Sequence, residues 1–497
     1  MTAEEYLKTI DEVNERGKYH PDWQSLCDCK TPEWFRRAKF GIFIHWGVFT
    51  VPEAFYEWYP RHMYRLGSPE HEHFKKTYGD FSQKGYKDLI PLFTAEKFDA
   101  EEWMKLFFEA GAKYVVPVAE HHDGFQMYQS ELSRWNVANM GPKRDTLGEL
   151  RRAADKYGIT FCASSHRAEH YWFMNGGREY DCDVNDPAYD DFYGPAVLTP
   201  ELKAWVPDDL YSVTIHSPRM KEHCENWLAR TCELVDKYRP KMIYFDWWIN
   251  NMAFRPYLKK FAAYYYNRAE EWGEEVTINY KHNAFVPDAA TFDVERGQLK
   301  EISARPWQTD TAVANNSWSY TANNEFKDAK EIVCDLVDIV SKNGCLLLNV
   351  GPRASGEICE EEKKVLKTIG AWLKVNGEGI YDTVCWKVYG EGPTQIPEGQ
   401  FCDTAREPFT PRDIRYTYRS GKLYAFIMSA KEGLEEAELT ALRGGDYPAE
   451  AACPEHAEIL GMEDVPVAVI QEKQALRLRF GKKIVSDVPV CIRMTLR

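Results

Sequence analysis

Short apolar runs alternate with amphipathic segments from about residue 40 to about residue 380. The apolar runs carry little polar alternation, which is typical of parallel strands that are covered on both faces. Strands are predicted at residues 40–46, 114–119, 159–164, 242–246, 276–279 and 345–350, with weaker candidates at 291–295 and 307–311. The alternation of strands and helices predicts repeated βα units.

Two of the helices between these strands are predicted in detail. In residues 99–110 apolar side chains recur at helical spacing, Asp99 is a suitable N-cap and Gly111 a suitable stop. In residues 329–340 the apolar side chains again share one face, and Asn343-Gly344 ends the segment. Each helix is followed directly by an apolar strand, as a βα repeat requires.

The pattern changes after about residue 380 to alternating apolar and polar positions. Antiparallel strands are predicted at residues 414–418, 423–428, 476–480 and 490–496, with Ser420-Gly421 as the turn between the first two. Residues 390–411 are rich in Pro, Gly and Glu and are predicted as a loop. A C-terminal β-sandwich is therefore expected.

Polar residues lie where several predicted strands end, namely His45, His121, His122, Asp246 and Asn279. The carboxyl ends of barrel strands are where a (β/α)8 enzyme assembles its site. A doubly wound open sheet is the alternative, but no Gly-rich phosphate loop follows the first strand. We therefore predict an α/β fold, with a (β/α)8-like (TIM-type) catalytic barrel at residues 1–380 and an antiparallel β-sandwich domain at residues 381–497.

Composition narrows the function classes. A formal net charge of -15 argues against nucleic-acid binding, which needs a basic surface. Aromatic residues reach 14%, with 16 Trp and 29 Tyr. Such rings line sugar-binding clefts, although they also fill the cores of large α/β proteins.

The chain shows no sign of a membrane or cofactor partner. No run approaches the roughly 18 apolar residues of a membrane-spanning helix. The first residues are acidic and polar rather than basic and then apolar, so a cytoplasmic location is expected. The 13 cysteines are scattered, which favours reduced thiols. Cys27 and Cys29 have no second pair at zinc spacing, and neither a metal nor a cofactor is predicted.

Six segments in order along the chain resemble the signature of glycoside hydrolase family 29, the α-L-fucosidases. They are residues 34–47 (WFRRAKFGIFIHWG), 57–64, 110–130, 243–248 (IYFDWW), 306–320 and 343–358 (NGCLLLNVGPRASGEI). The resemblance spans roughly residues 30 to 390. It implies a (β/α)8-like barrel with a C-terminal β-sandwich that cleaves terminal α-L-fucosyl linkages of oligosaccharides or glycoconjugates with retention and without a metal. The oligomeric state is left open.

The resemblance assigns the nucleophile to Asp246. The residues agree, because a carboxylate after the apolar run IYF and before Trp247-Trp248 is expected at the barrel mouth. The alternative is an Asp that caps the following helix. By the same matching His45, Glu57, Trp58, His121 and His122 would hold the sugar. A neutral imidazole offers one donor and one acceptor, which suits hydroxyl groups.

The general acid/base is less defined, and Asp293, Glu295 and Glu301 are the candidates. The resemblance places the acid a short distance beyond the position that Lys281 occupies, which favours Glu295 over the runner-up Glu301. The alternative for Glu295 is a surface ion pair with Arg296.

Three positions depart from the family pattern. Tyr244 stands where many relatives have Trp, Lys281 where many have Arg, and His166 follows a third strand whose end differs from the usual sequence. A Lys cannot provide the bidentate hold of an Arg. His166 is expected to take over one sugar contact, and Trp58, Phe43 and Trp318 to wall the pocket.

These departures leave alternatives to the α-L-fucosidase prediction open. One is an α-L-glycosidase for a related sugar such as L-galactose. The other is a sugar-binding protein without hydrolytic activity, although an intact Asp246 argues against it.

Overall fold

The computed structural model describes residues 1–198, 217–444 and 454–496. Its centre is a nine-stranded sheet. The strands are β1 Phe40–Ile44, β2 Tyr114–Glu120, β3 Thr160–Phe161, β4 Ala163–Ser165, β5 Met242–Phe245, β6 Thr277–Tyr280, β7 Thr291–Glu295, β8 Trp307–Ala312 and β9 Gly344–Val350. They pair in the order β1-β9-β8-β7-β6-β5-β4-β2-β3, and a further pairing of β1 with β2 closes the sheet.

The sheet is a closed parallel barrel. Gly41 of β1 is in register with Tyr114 of β2 on one side and with Leu347 of β9 on the other. The short strands β3 and β4 both pair with β2 and are separated only by Cys162, so together they fill one position of an eight-position barrel. The predicted barrel is confirmed, and the doubly wound alternative is wrong.

Helices cover the outside of the barrel. The α-helices are α1 Ala3–Arg16, α2 Trp23–Leu26, α3 Glu33–Ala38, α4 Tyr59–His62, α5 Pro69–Thr77, α6 Ala100–Glu109, α7 Thr146–Tyr157, α8 Asp190–Tyr193, α9 Pro218–Tyr238, α10 Arg255–Trp272, α11 Ala329–Ser341 and α12 Glu360–Asn376. Every helix in the described part of the chain is too short or too polar to cross a bilayer.

Both helices predicted in detail are confirmed. The Asp99 side chain accepts hydrogen bonds from the backbone N–H groups of Glu101 and Glu102 at the start of α6, and Gly111 follows its end with a φ of 91°. In α11 the apolar face that the sequence predicts is buried.

The barrel strands are buried on both faces, which explains their lack of polar alternation. Inward side chains form a separate apolar cluster that includes Phe43, Val116, Tyr244 and Leu347. Outward side chains such as Ile42 join the main core with the surrounding helices. The interior is therefore packed, and only the carboxyl ends of the strands remain for a site.

The C-terminal region contains two antiparallel sheets. Its strands are β10 Val384–Glu391, β11 Ile414–Arg419, β12 Lys422–Ile427, β13 Ala430–Leu439, β14 His456–Ile459, β15 Val467–Gln471, β16 Leu476–Ser486 and β17 Val490–Thr495. They pair in the orders β10-β11-β12-β17-β14 and β13-β16-β15. Leu423, Ile492, Leu478 and Phe480 belong to the apolar cluster shared by both sheets, so the predicted sandwich is confirmed.

The five-stranded sheet also packs against the barrel helices. The Trp372 ring of α12 lies 6.1 Å from the Phe426 ring, and its Nε1 donates to the Pro489 carbonyl at 3.0 Å. A domain boundary between residues 380 and 381 stays a prediction. Residues 392–413 join β10 to β11 and reach back to the mouth of the barrel. They include the predicted loop 390–411 except for its first two residues, which belong to β10.

Candidate active site

A cavity of about 370 Å³ opens at the carboxyl ends of the barrel strands. Every residue predicted for catalysis or sugar binding lines it. The lining residues are Phe43, His45, Tyr56, Glu57, Trp58, His121, His122, His166, Tyr244, Asp246, Trp247, Lys281, Glu295, Asp310, Trp318 and Phe401.

Asp246 follows β5 and is buried at the bottom of the cavity. Its Oδ1 lies 3.3 Å from Lys281 Nζ, and its Oδ2 lies 3.4 Å from both His122 Nε2 and His166 Nδ1. Its side chain does not cap the short helix that follows, so the capping alternative is wrong. Burial alone would raise the pKa of Asp246, but Lys281 and His166 outweigh it and hold the pKa well below its usual range.

Lys281, directly after β6, is the hub of the buried charges. Its Nζ lies 2.6 Å from Glu295 Oε2 and 3.6 Å from Asp310 Oδ2, in addition to its contact with Asp246. Tyr244 Oη donates to Asp310 Oδ2 at 2.8 Å. Burial would lower the pKa of Lys281, but the surrounding carboxylates raise it well above its usual range. Lys281 therefore carries a permanent positive charge between the two predicted catalytic carboxyl groups.

Glu295 ends β7 and its side chain is 14% exposed toward the cavity. Burial is the largest influence on this carboxyl group. Together with Asp310 and Asp246 it outweighs the opposing charge of Lys281 and raises the pKa of Glu295 to about 7. The ammonium group of Lys281 is shared with Asp246 and Asp310, so it offsets only part of this effect at Glu295.

The two competing candidates for the acid lie elsewhere. Asp293 is fully buried inside the barrel, where Gln308 Nε2 donates to its Oδ2 at 2.7 Å. Burial and the neighbouring Asp310 raise the pKa of Asp293 well above its usual range. Glu301 is exposed beyond β7 and lies near Lys342, which precedes β9 at the opposite end of the barrel. Neither residue lines the cavity.

Arg296 does not form the surface ion pair with Glu295 that the sequence leaves as an alternative. It is buried, and its Nη1 lies 3.6 Å from an Asp403 carboxylate oxygen. Its guanidinium group lies 4.6 Å from the centre of the Trp318 ring. Arg296 therefore supports the cavity wall rather than the acid.

Four histidines line the cavity. His45 Nδ1 lies 2.7 Å from Asn349 Oδ1, and burial lowers the pKa of His45 and of His121 well below the usual range. Burial also acts against a charge on His122, but Glu169 and Asp246 raise its pKa. Since β2 ends at Glu120, His121 and His122 both lie beyond the strand and both reach the cavity. The site thus combines neutral imidazoles with one that carries a proton more readily.

Glu57, Trp58 and Trp318 form the side of the cavity. Glu57 Oε2 accepts hydrogen bonds from the Trp318 backbone N–H at 2.9 Å and from Ser317 Oγ at 3.3 Å. Trp58 packs edge-on against His122, with ring centres 5.7 Å apart. Glu57 therefore also fixes the position of the aromatic wall.

Sequence reasoning missed Asp310, Tyr56, Trp247 and Phe401. Asp310 lies within segment 306–320, one of the six that resemble the family signature, and is a carboxylate on a predicted barrel strand, which is a signal that could have identified it. Phe401 has no such signal, because it belongs to the loop between β10 and β11 in the C-terminal region. Two groups in the described residues could hold a metal ion, His45 with His121 and His166, and His122 with His166 and Asp246.

Comparison with known proteins gives one consistent result. Residues 7–378 match the family described as Alpha-L-fucosidase. Tissue alpha-L-fucosidase of Homo sapiens is 32% identical over 388 residues, which span 76% of this chain and 75% of that protein. Plasma alpha-L-fucosidase of Homo sapiens is 30% identical over 435 residues, 85% of this chain and 84% of that protein. A Thermotoga maritima alpha-fucosidase, solved with a mechanism-based inhibitor, superposes with a TM-score of 0.72 at 26% identity and covers 96% of this chain and 100% of that chain.

Proposed function

This chain belongs to the alpha-L-fucosidase family of glycoside hydrolases, and from that premise we propose that it is a retaining exo-α-L-fucosidase. Asp246 is the nucleophile and Glu295 the general acid/base. The substrate is a terminal α-L-fucosyl group of an oligosaccharide or glycoconjugate.

The observation that carries this proposal is the pair of buried carboxyl groups with opposite pKa shifts. The pKa of Asp246 lies well below its usual range, as a nucleophile requires, and that of Glu295 is raised to about 7, as an acid requires. Both groups face the same cavity.

The separation of the two groups favours retention. Asp246 Oδ1 and Glu295 Oε2 lie 3.3 and 2.6 Å from the same Lys281 nitrogen, so these oxygens are no further apart than the sum of the two distances. This largest possible distance between the two carboxylate oxygens is compatible with the roughly 5–5.5 Å that separates the carboxyl groups of a retaining enzyme. It is shorter than the roughly 6.5–9.5 Å found in inverting enzymes.

In the first step an Asp246 oxygen forms a bond to the anomeric carbon while the bond from that carbon to the leaving oxygen breaks. The Glu295 proton goes to the leaving oxygen. Esterification removes the charge of Asp246, which is one of the groups that raise the pKa of Glu295. The pKa of Glu295 therefore falls, so the carboxylate that remains after proton donation stays ionised. It takes a proton from water, and attack of this water on the anomeric carbon releases Asp246.

The walls of the cavity suit a deoxy sugar. His45 and His121 are neutral, and an imidazole nitrogen that no protein group holds, such as His45 Nε2, can form a hydrogen bond with a sugar hydroxyl group. Phe43 and Trp318, with ring centres 6.3 Å apart, give an apolar surface for a C6 methyl group. A C6 hydroxyl, as in L-galactose, would lose its hydrogen bonds to water against such a surface.

A panel of aryl glycosides tests the activity and the sugar. Release from the α-L-fucoside supports the proposal, release from the α-L-galactoside alone supports the related L-sugar, and no release supports a binding protein. NMR of the first sugar formed tests the mechanism, because retention gives the α-anomer first and an initial β-anomer contradicts it.

A cytoplasmic location is part of the proposal. The described part of the chain contains twelve cysteines, and all are free. Free buried thiols are typical of proteins from reducing compartments. Fractionation of the native host cells, with the protein detected by antibody, tests the location.

A further inference from the structure

Three histidines from neighbouring barrel positions converge in the cavity. His45 follows β1, His121 follows β2 and His166 follows β4. Their ring centres lie 5.7 Å apart for His45 and His121, 5.3 Å for His45 and His166, and 5.0 Å for His121 and His166. One nitrogen from each ring can be chosen so that all three lie within 4.8 Å of one another. Adjustments of about an ångström bring such nitrogens to the spacing required by metal–nitrogen bonds of about 2.0–2.1 Å.

The three imidazoles are available as ligands. They are 4%, 2% and 3% exposed for His45, His121 and His166, and His121 Nδ1 is buried without a hydrogen-bond partner. His166 Nε2 lies 3.1 Å from Ser164 Oγ, which leaves its Nδ1, 3.4 Å from Asp246 Oδ2, for a ligand bond. His45 Nδ1 is held by Asn349 Oδ1 at 2.7 Å, so its Nε2 remains for a ligand bond. Orientation of a ligand histidine by a second polar group is a common feature of metal sites.

The other possible triad, His122 with His166 and Asp246, is less suited to a cation. His122 Nδ1 lies 3.0 Å from the His166 carbonyl oxygen and 3.3 Å from Glu169 Oε2, so only its Nε2, 3.4 Å from Asp246 Oδ2, remains for a ligand bond, and the triad would have to include that carboxylate. The Lys281 ammonium group, 3.3 Å from Asp246, would repel a metal ion bound to that carboxylate. His45, His121 and His166 are therefore the better ligand set.

We propose that His45, His121 and His166 form a site for a divalent transition-metal ion of the Zn²⁺ class, and that the bound ion excludes the sugar. Three imidazole nitrogens with one open position are a common ligand set for Zn²⁺ and Co²⁺. The fourth position faces the cavity, where a water molecule can occupy it. The ion is an inhibitor and takes no part in hydrolysis. His166, one of the departures from the family pattern, completes the triad.

Cobalt(II) is the direct probe, because a four-coordinate Co²⁺ ion shows visible d–d absorption. The full chain is stripped with a chelator, freed of it by gel filtration and titrated with Co²⁺. One Co²⁺ per chain is expected to give these bands, and Zn²⁺ is expected to abolish them by displacement. Absence of the bands at millimolar Co²⁺ overturns the proposal.

Two variants and one control locate the ion. His166→Tyr keeps an aromatic ring and His121→Phe removes the unpartnered nitrogen, and both are expected to lose the bands. His456→Ala, an exposed histidine on β14, is expected to keep them. Circular dichroism and Tm establish that each variant is folded, and bands that persist in either folded triad variant overturn the assignment.

The inhibitory role is tested on the wild type with an aryl α-L-fucoside. Zn²⁺ is expected to raise KM without lowering kcat, and a chelator is expected to restore the original KM. A lowered kcat at saturating substrate overturns the exclusion of the sugar. The Co²⁺ spectrum requires no turnover, so it tests the metal site even if the proposed hydrolytic activity fails.

Discussion

The cavity is built from two regions that differ in origin and in rigidity. The floor cluster, defined as Tyr244, Asp246, Lys281, Glu295 and Asp310, comes from consecutive barrel positions and is tied together by ion pairs and hydrogen bonds. The rim loop, defined as residues 392–413, comes from the C-terminal region and contributes Phe401, which is 63% exposed.

The rim loop is nevertheless attached to the floor cluster. The Phe401 backbone N–H donates to the Glu295 carbonyl at 2.9 Å, and Asp403 N donates to the Arg296 carbonyl at 2.9 Å. Phe401 has a φ of 54°, in the left-handed region that residues with a side chain rarely adopt. Such conformations persist where the surrounding contacts hold them, and they are frequent at ligand sites.

Because the floor cluster is charged and buried whereas Phe401 of the rim loop is exposed, we expect the two regions to affect different steps of the reaction. In the floor cluster every charge affects the others, so a substitution there changes the pKa values on which bond cleavage depends. Phe401 lines the exposed edge of the cavity, next to solvent, where a group attached to the sugar would leave. We therefore expect the floor cluster to set kcat and the rim loop to select the group that is attached to the sugar.

Asp246→Ala is expected to have the largest effect. Without the carboxylate no covalent intermediate forms, so kcat for every fucoside should fall by several orders of magnitude. Turnover of an aryl fucoside measures this, with Tm as the check on folding. Retention of more than a few per cent of wild-type kcat would show that the nucleophile is another residue.

Glu295→Ala should lower turnover of natural fucosides by roughly 10²–10⁴-fold, because their leaving groups need a proton. An aryl fucoside with an acidic phenol should still glycosylate Asp246 and then stall, and azide should restore turnover and yield the β-fucosyl azide. Glu301→Ala, an exposed carboxylate, is the matched control and should behave as wild type. The reverse result would move the acid to Glu301.

The pH dependence of kcat/KM tests the role of Glu295 without a substitution. Glu295 must be protonated for the first step, and its pKa is raised to about 7. For natural fucosides kcat/KM should therefore be constant below this pKa and fall about tenfold per pH unit above it. With α-L-fucosyl fluoride, whose leaving group needs no proton, the alkaline decline should disappear. An equal decline for both substrates would assign it to a different group.

Phe401→Ala should have the smallest effect. The second sugar of a fucosyl disaccharide would lose a stacking interaction with the Phe401 ring. A loss of about 1 kcal/mol should lower kcat/KM for this substrate about five-fold. The fluoride, which has no second sugar, should be unaffected. Phe401→Trp should retain activity on both, and Phe108→Ala, a distant exposed phenylalanine on α6, is the control. An equal fall in kcat/KM for the disaccharide and the fluoride would show that Phe401 affects bond cleavage and does not select the attached group.

The barrel, most of its strands and the place of Asp246 at a strand end could all be predicted from the amino-acid pattern alone. These features depend on local periodicity, because a strand covered on both faces must be apolar and its first polar residue marks its end. Within the barrel, the larger differences are one shorter strand end and one interrupted strand. The predicted strand at 40–46 stops at Ile44, and the one at 159–164 is broken at Cys162.

Which carboxyl groups lie together at the floor of the cavity depends on the folded chain and could not be predicted from the pattern. Asp293 and Glu295 are two residues apart on β7 and are equivalent in a local pattern, yet one lies inside the barrel and the other at its mouth. The pKa of Glu295 depends on Lys281, Asp310 and Asp246, which come from three other barrel positions. Phe401 joins them from the loop between β10 and β11. Electrostatic interactions act through space, so no pattern along the chain contains them.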